Sequence, residues 1–218
     1  MSNFRYTRSE SFPPVVKNLL IINILAFVAQ QFFDQQYDMT RKLSLWPVNT
    51  SYFEPYQIFT HMFLHAGFMH LLFNMLMLWM IGRVLESYWG SKRFLFFYLV
   101  CGLGAAAAHL GVEYIQVNQQ IAAGGPVEIG YALGASGAIM GLMAGFAWLF
   151  PNTEFMLIFF PVPIKAKYFV PGLMVLDILG AFSPVLDNGV AHFAHLGGAL
   201  TGFIIVLIWN KTNRRTLY

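Results

Sequence analysis

Apolar residues are concentrated in six stretches of this chain, and more polar segments separate them. An α-helix needs about 20 residues to cross the hydrocarbon core of a bilayer, and fewer where its end is buried in protein. The pattern therefore predicts an all-α membrane protein, a bundle of six transmembrane helices. The predicted spans are Val15–Phe33, Phe68–Val84, Phe94–Tyr114, Ser136–Phe150, Tyr168–Phe182 and Val190–Trp209.

The composition agrees with a membrane protein. Hydrophobic residues make up 57% of the 218 positions, charged residues make up only 11%, and mean hydropathy is +0.58. A soluble domain carries roughly 25% charged residues. No linker or internal repeat divides the chain, so we expect one domain over residues 15–209, flanked by an arm (1–14) and a tail (210–218).

The basic residues are distributed unevenly between the two sides of the predicted bundle. With six crossings, Arg41 and Lys42 fall on one side, and the other eleven Lys and Arg residues fall on the opposite side. Basic residues favour the cytoplasmic face, so we expect both termini, arm and tail, in the cytoplasm of a cell, with the bundle in a bacterial inner membrane. The eleven are Arg5, Arg8, Lys17, Arg83, Lys92, Arg93, Lys165, Lys167, Lys211, Arg214 and Arg215.

Two long segments between spans, Asp34–Gly67 and Ile115–Leu133, are expected on the outer side. The second contains glycines and a proline and is predicted to be a loop. The first has an aromatic density typical of a membrane interface, so we expect it to cover the outer face of the bundle. Its aromatic residues include Trp46, Tyr52, Phe53 and Tyr56.

Ser136 begins the shortest predicted span. A helix of about 15 residues is roughly 22 Å long, several ångströms less than the hydrocarbon core. If its other end reaches the surface near Pro151, Ser136 lies at a helix N-terminus inside the membrane. The free N–H groups there require a polar cavity. His195 is predicted at a similar depth on the sixth span, and an ionisable group inside a membrane is a functional candidate.

Small residues follow the helical period on both of these spans, which lets helix backbones approach closely in lipid. On the sixth span they share a face with His195, whereas His192 lies beside that face. Ordinary helix packing also explains such stripes. They consist of Gly137, Gly141 and Gly145 on the fourth span and Ala191, Gly198 and Gly202 on the sixth.

The second span begins with an unusually polar segment. His70 and Asn74 are four residues apart and share one helix face, from which they could donate hydrogen bonds to a developing oxyanion. A packing hydrogen bond between helices is the alternative. A zinc site formed by His61, His65 and His70 is disfavoured because the segment has no carboxylate and no His-Glu-x-x-His pattern.

These residues together resemble the rhomboid family of intramembrane serine proteases. Ser136 matches the nucleophile of the family's Gly-x-Ser-Gly motif, and His195 matches its general base. His70 and Asn74 match a His-x-x-x-Asn pair that helps to form the oxyanion hole. The resemblance implies that Ser136 and His195 form a catalytic dyad, and that the backbone N–H of Ser136 is a further oxyanion donor.

The likeness covers about residues 56–203, and it includes departures. Glu86 resembles an acidic residue at the cytoplasmic end of the family's second helix. Tyr56 and Gln57 stand where many members have Trp-Arg, so loop details are expected to differ. Met140 stands where some members have a tyrosine against the catalytic histidine; methionine can pack there as an apolar wall.

Neither the family nor the sequence gives His195 an obvious carboxylate partner. Asp177 on the fifth span is a possible third member of the site, but we expect it to be structural, paired within the bundle. Packing would then have to fix the imidazole tautomer of His195.

The function that this resemblance implies is endopeptidase cleavage of transmembrane protein substrates within the lipid bilayer. It involves no cofactor, no metal ion and no nucleic acid. The alternative is a non-catalytic, rhomboid-like adaptor that binds transmembrane helices without cutting them. The presence of both Ser136 and His195 favours the enzyme.

Overall fold

The structure is a computed structural model, and it describes residues 12–124, 126–127, 129–157, 160–182 and 191–212. The predicted arm up to residue 11, the tail beyond residue 212 and the predicted start of the sixth span at Val190 lie outside the described residues. So do four of the basic residues that set the expected orientation: Arg5, Arg8, Arg214 and Arg215.

Eight α-helices and one β-hairpin make up the described chain, and a 3₁₀ turn, His61–Phe63, precedes the fourth helix. Each of the six predicted spans is helical over most of its described residues. The elements are α1 (Pro14–Tyr37), α2 (Met39–Leu43), α3 (Gln57–Thr60), α4 (Phe68–Trp89), α5 (Ser91–Ala122), α6 (Ser136–Leu149), β1 (Glu154–Leu157), β2 (Phe160–Lys165), α7 (Ala166–Phe182) and α8 (His192–Thr212).

Four of the described helices, α1, α4, α5 and α8, are long and apolar enough to cross a membrane. The other two predicted spans are shorter: α6 has 14 residues and α7 has 17. At 1.5 Å per residue, α6 is roughly 21 Å long. The number of crossings and the side on which the termini lie therefore remain predictions.

Helix α6 lies at the centre of the bundle. Every residue from Gly137 to Phe146 is buried, which is the pattern of a helix enclosed on all sides. Close approach requires glycine at several of its contacts. A Cβ atom on Gly141 would overlap Cys101 of α5, and one on Gly202 of α8 would lie 2.5 Å from the Gly141 carbonyl oxygen. The predicted stripes of small residues are therefore helix-packing faces.

Glu86 of α4 connects three helices at one end of the bundle. Its buried carboxylate accepts hydrogen bonds from the backbone N–H groups of Val15 and Val16, at 3.0 and 2.8 Å, and from the Ser91 hydroxyl at 2.7 Å. The first turn of a helix has free N–H groups and a partial positive charge. Glu86 supplies both the acceptors and the negative charge that the start of α1 requires.

The segment between α1 and α4 lies at the end of the bundle where α6 begins. Trp46 is buried in it, with its ring centroid 4.9 Å from those of Tyr52 and Tyr131. An isolated antiparallel bridge joins Leu45 to Ala132 in the segment before α6. This segment therefore holds the approach to Ser136 in place.

One local prediction differs from the structure. Helix α5 continues to Ala122, so the expectation of a loop from Ile115 is wrong for its first eight residues. Between α6 and α7 the structure adds an element that the sequence analysis does not predict, because β1 and β2 pair there as an antiparallel hairpin.

Candidate active site

Ser136 and His195 are in contact at the adjacent ends of two packed helices. Ser136 is the first residue of α6, as predicted, and His195 lies in the first turn of α8. The Nε2 atom of His195 is 2.8 Å from the Oγ atom of Ser136. This is hydrogen-bonding distance between a hydroxyl and the imidazole that could accept its proton.

The structure distinguishes His195 from its neighbour His192. His195 lines the same cavity as Ser136, and its Nε2 atom contacts the serine hydroxyl. His192 is not among the residues that line this cavity. Both histidines direct their Nδ1 atoms at Asp177, so the contact with Ser136 is what separates them.

Asp177 of α7 contacts both histidines of α8. Its Oδ1 atom lies 3.0 Å from Nδ1 of His195 and 2.8 Å from Nδ1 of His192. Asp177, named from the sequence as a possible third member of the site, therefore lies within hydrogen-bonding distance of His195. Asp177 is paired within the bundle, but its pair includes the candidate base. Histidines spaced three apart opposite an intramembrane acid are the sequence signal that could have indicated this contact.

His70 lies on the other side of Ser136. Its Nδ1 atom accepts a hydrogen bond from the backbone N–H of Ala66 at 3.3 Å, so a neutral His70 carries its proton on Nε2. A Cβ atom on Gly134 would lie 3.0 Å from that Nε2 and 3.6 Å from Ser136 Oγ. The donor edge of His70 and the serine hydroxyl therefore flank the same glycine.

Gly134 allows this approach for a second reason. Its φ is +126°, a conformation that residues with a Cβ atom rarely adopt. Its N–H donates to the backbone carbonyl of His61 at 2.8 Å, which fixes the turn before α6. The backbone carbonyl of His61 thus holds this turn in place. The His61 ring makes a second contact, because its Nδ1 lies 2.8 Å from the Gln57 carbonyl oxygen.

Asn74 lies one helical turn after His70 on α4 and is buried, at 7% exposure. Its Nδ2 atom has no hydrogen-bond partner among the described residues. A buried amide donor without a partner is costly, and such groups are often functional. Asn74 lines the same cavity as Ser136, so it can donate to a group bound there.

The cavity in front of these residues has a volume of about 1060 Å³. Its wall includes the four predicted site residues. Its rim is polar because α1 contributes amide and carboxylate side chains, and α2 contributes a hydroxyl: Gln30, Gln31, Asp34, Gln35 and Thr40. The site can therefore hold water and a peptide next to a hydroxyl that would otherwise lie against lipid.

Burial controls the charge of the two histidines that lie between α1 and α4. It lowers the pKa of His61 to about 4 and that of His65 to about 4, with His70 as a further, smaller cause at His65. The side-chain oxygen of Gln30 accepts a hydrogen bond from the backbone N–H of His65 at 3.0 Å. The amide nitrogen of Gln30 donates to the backbone carbonyl of His65 at 3.3 Å. Both histidines are neutral at pH 7 and brace the cavity wall.

The departures from the family pattern have specific contacts. Gln57 is fully buried; its amide donates to the carbonyls of Lys42 and Tyr52, at 3.1 and 2.9 Å, and its oxygen accepts a hydrogen bond from the backbone N–H of Trp46 at 3.3 Å. Gln57 therefore holds the covering segment together. Met140 is buried in the apolar core one turn after Ser136, consistent with a packing role.

Comparison with known proteins gives a consistent result. The family model of the Rhomboid domain matches residues 52–211. Rhomboid protease AarA of Providencia stuartii is 31% identical over 159 residues, which are 68% of this chain and 53% of that protein. Rhomboid protein 1, mitochondrial, of Saccharomyces cerevisiae is 32% identical over 142 residues, which are 65% of this chain and 38% of that protein.

A third relative aligns over nearly the whole chain. Rhomboid protease GlpG of Klebsiella pneumoniae subsp. pneumoniae is 26% identical over 218 residues, covering 95% of this chain and 70% of that protein. The chain thus spans about half the length of AarA and less than two fifths of the yeast protein.

Proposed function

The chain belongs to the rhomboid family, and from this premise we propose that it is an intramembrane serine endopeptidase that cleaves transmembrane segments of other proteins. The observation that carries the proposal is the 2.8 Å contact between His195 Nε2 and Ser136 Oγ. Its apolar helices make the protein a multi-pass membrane protein. We further propose six crossings, with both termini in the cytoplasm.

The chemistry begins with Ser136 and His195. The serine hydroxyl donates to Nε2 of a neutral His195, which takes the proton as Oγ attacks the substrate carbonyl. His195 then returns that proton to the leaving amine. The result is an acyl-enzyme ester on Ser136. Water from the cavity, deprotonated by His195, hydrolyses the ester and regenerates the serine.

The negative charge on the tetrahedral intermediate is stabilised from two directions. The backbone N–H of Ser136, at the start of α6, is one of the free donors of a helix N-terminus and adds the positive end of the helix dipole. His70 Nε2–H and the Asn74 amide approach from α4. Preorganised donors of this kind contribute about 10²–10³ each to the rate.

The substrate must present an extended backbone, because an intact helix keeps its carbonyls in its own hydrogen bonds. We therefore propose a transmembrane segment that unwinds locally on entering the polar cavity. Segments with small or helix-breaking residues near the membrane surface unwind most easily.

A non-catalytic adaptor is the alternative function. Such a protein needs a groove for a helix, but it does not need a hydroxyl in contact with an imidazole. The pairing of Ser136 with His195, beside the unpartnered amide of Asn74, favours catalysis.

Cleavage of a co-expressed reporter with one transmembrane segment tests the proposal. The wild type should release the soluble part of the reporter. Ser136→Ala and His195→Ala should not, although both should express and fold normally. Ser51→Ala, at an exposed position of the covering segment, is the matched control and should cleave as the wild type does. Cleavage by Ser136→Ala would contradict the assignment.

A further inference from the structure

Asp177 contacts two histidines through a single carboxylate oxygen. His195 Nδ1 and His192 Nδ1 lie 3.0 and 2.8 Å from Asp177 Oδ1. The Asp177 side chain is 11% exposed and that of His192 is equally shielded. Inside a membrane protein an ionisable residue is costly, so its partners usually explain why it is present.

We propose that Asp177 is a positioning residue that extends the Ser136–His195 pair to a triad, with His192 as a second donor that holds the carboxylate in place. This inference rests on the proposed function and concerns how the base is oriented. In this arrangement the Asp177 carboxylate orients the His195 imidazole, whereas the sequence led us to expect that packing alone would do so.

The tautomer of His195 follows from this geometry. An ionised carboxylate only accepts hydrogen bonds, so the ring nitrogen that faces it must carry the proton. Nδ1 of His195 is then the N–H, and Nε2 presents its lone pair to the Ser136 hydroxyl. This is the tautomer that a general base requires.

The same carboxylate stabilises the charged form of His195 during the reaction. When Nε2 takes the Ser136 proton, the ring becomes an imidazolium next to the anionic oxygen of Asp177. The proton stays on the imidazole and Asp177 stays ionised, as in other Ser-His-Asp sites. No further reactant is needed, because the proton passes from His195 to the leaving amine.

His192 fits this arrangement because Gly180 leaves room for it. Gly180 lies one helical turn after Asp177 on α7, and a Cβ atom there would lie 2.5 Å from Cε1 and Nε2 of His192. Helix α7 thus presents the Asp177 carboxylate to His192 and, one turn later at Gly180, leaves space for the His192 ring. A carboxylate oxygen that receives two N–H groups has its direction fixed more tightly than one that receives a single group.

The test compares Asp177→Asn with Asp177→Ala, each measured for kcat, KM and melting temperature on the cleaved transmembrane substrate. Asparagine has nearly the same volume as aspartate. It removes the charge, and its amide N–H can donate to Nδ1, which favours the wrong tautomer. We expect kcat of Asp177→Asn to fall at least 100-fold, with KM changed less than threefold and a melting temperature close to that of the wild type.

A purely structural Asp177 gives the opposite result. Asp177→Asn would then retain kcat within threefold, and Asp177→Ala would lose mainly melting temperature; this outcome overturns the proposal. Glu154→Gln, at an exposed carboxylate in β1 that is not among the residues lining the cavity, is the matched control and should leave kcat unchanged. His192→Gln should lower kcat by less than Asp177→Asn does.

A second measurement needs no substitution at Asp177. In wild-type protein labelled with ¹⁵N-histidine, the ring nitrogen shifts of His195, assigned by their loss in His195→Gln, report which nitrogen carries the proton. The proposal requires a protonated Nδ1 and a bare Nε2 at neutral pH, and the reverse tautomer overturns it. If the wild type cleaves and Ser136→Ala does not, the proposed function stands whatever Asp177 does; if the wild type itself does not cleave, both fail.

Discussion

Gly198 of α8 lies directly against the backbone of Gly137 in α6. A Cβ atom on Gly198 would overlap the carbonyl oxygen and carbonyl carbon of Gly137. Gly137 follows Ser136, and Gly198 lies one turn after His195. The contact between the two glycines therefore sets the distance between the hydroxyl and the imidazole.

Gly198→Ala should push the two helices apart. Overpacking of this kind costs about 1–3 kcal/mol, so we expect a lower melting temperature and a fall in cleavage rate of at least tenfold. The rate should fall further than stability alone explains, because the Ser136–His195 distance increases. Thermal unfolding and reporter cleavage measure the two effects.

Gly111→Ala is the matched control for that substitution. Gly111 lies within α5, and a Cβ atom there would meet nothing within 4 Å. Alanine favours a helix over glycine by about 1 kcal/mol, so Gly111→Ala should be neutral or slightly stabilising. Equal losses in both variants would show that the Gly137–Gly198 contact is not what positions the site.

Removal of the Glu86 carboxylate should destabilise the bundle. Glu86→Ala leaves the N–H groups of Val15 and Val16 without their acceptor, and each buried unsatisfied donor costs about 1–3 kcal/mol. Glu86→Gln keeps one acceptor oxygen and should lose less. Unfolding midpoints should therefore fall in the order wild type, Glu86→Gln, Glu86→Ala. Glu54→Ala, at an exposed position, should have the midpoint of the wild type, and the same midpoint for Glu86→Ala would refute the capping role.

Asn74→Ala tests the proposed role of the Asn74 amide as an oxyanion donor from α4. If the amide acts only as negative charge develops, its loss lowers kcat about 10²–10³-fold and leaves KM nearly unchanged. Steady-state kinetics separate the two constants. Asn152→Ala, at an exposed position after α6, controls for loss of an amide elsewhere. A raised KM with normal kcat for Asn74→Ala would assign Asn74 to substrate binding instead.

Acid should destabilise the protein through its buried histidines. The pKa of His61 is about 4 in the folded protein and 6.5 in the unfolded chain. The unfolded state therefore takes up the proton first as pH falls. The contribution of this group to stability is complete above pH 6.5, decreases between pH 6.5 and 4, and levels off below, with about 3 kcal/mol lost in total.

His61→Gln keeps a side chain that can donate to the Gln57 carbonyl but cannot titrate. The difference in melting temperature between pH 7 and pH 5 should be smaller in this variant than in the wild type. An unchanged difference would show that the acid sensitivity arises from other groups.

The sequence was sufficient to locate the helices that carry the site. Long apolar runs indicate helices that lie in a membrane, and the observed α4 and α6 begin at the predicted Phe68 and Ser136. The same signal fails where a helix leaves the apolar region. Helix α5 continues through polar residues to Ala122, and hydropathy alone places a loop there.

The hairpin between α6 and α7 was missed for a different reason. Pro161 and Pro163 lie in β2, and proline argues against a strand except at an edge. A two-stranded sheet consists only of edges, so the structure accommodates them. Nothing in the local pattern indicates which partner strand is available.

Contacts between distant residues were the least predictable part of the site. The pairing of Ser136 with His195 was inferred because depth and helix face agreed on both spans. The contact of Asp177 with His195 depends on how α7 packs against α8, which no spacing within one helix determines. The same is true of the contact between Glu86 and α1. The groups that it binds there are backbone N–H groups, which no sequence motif marks.

The nucleophile can be identified most directly by labelling the purified protein with a fluorophosphonate and mapping the modified residue by mass spectrometry. We expect one adduct, on Ser136, formed at wild-type rate in Ser51→Ala, absent in Ser136→Ala and at least 100-fold slower in His195→Ala. An adduct on any other residue, or labelling of Ser136 that does not depend on His195, would contradict the central claim that this imidazole activates this hydroxyl.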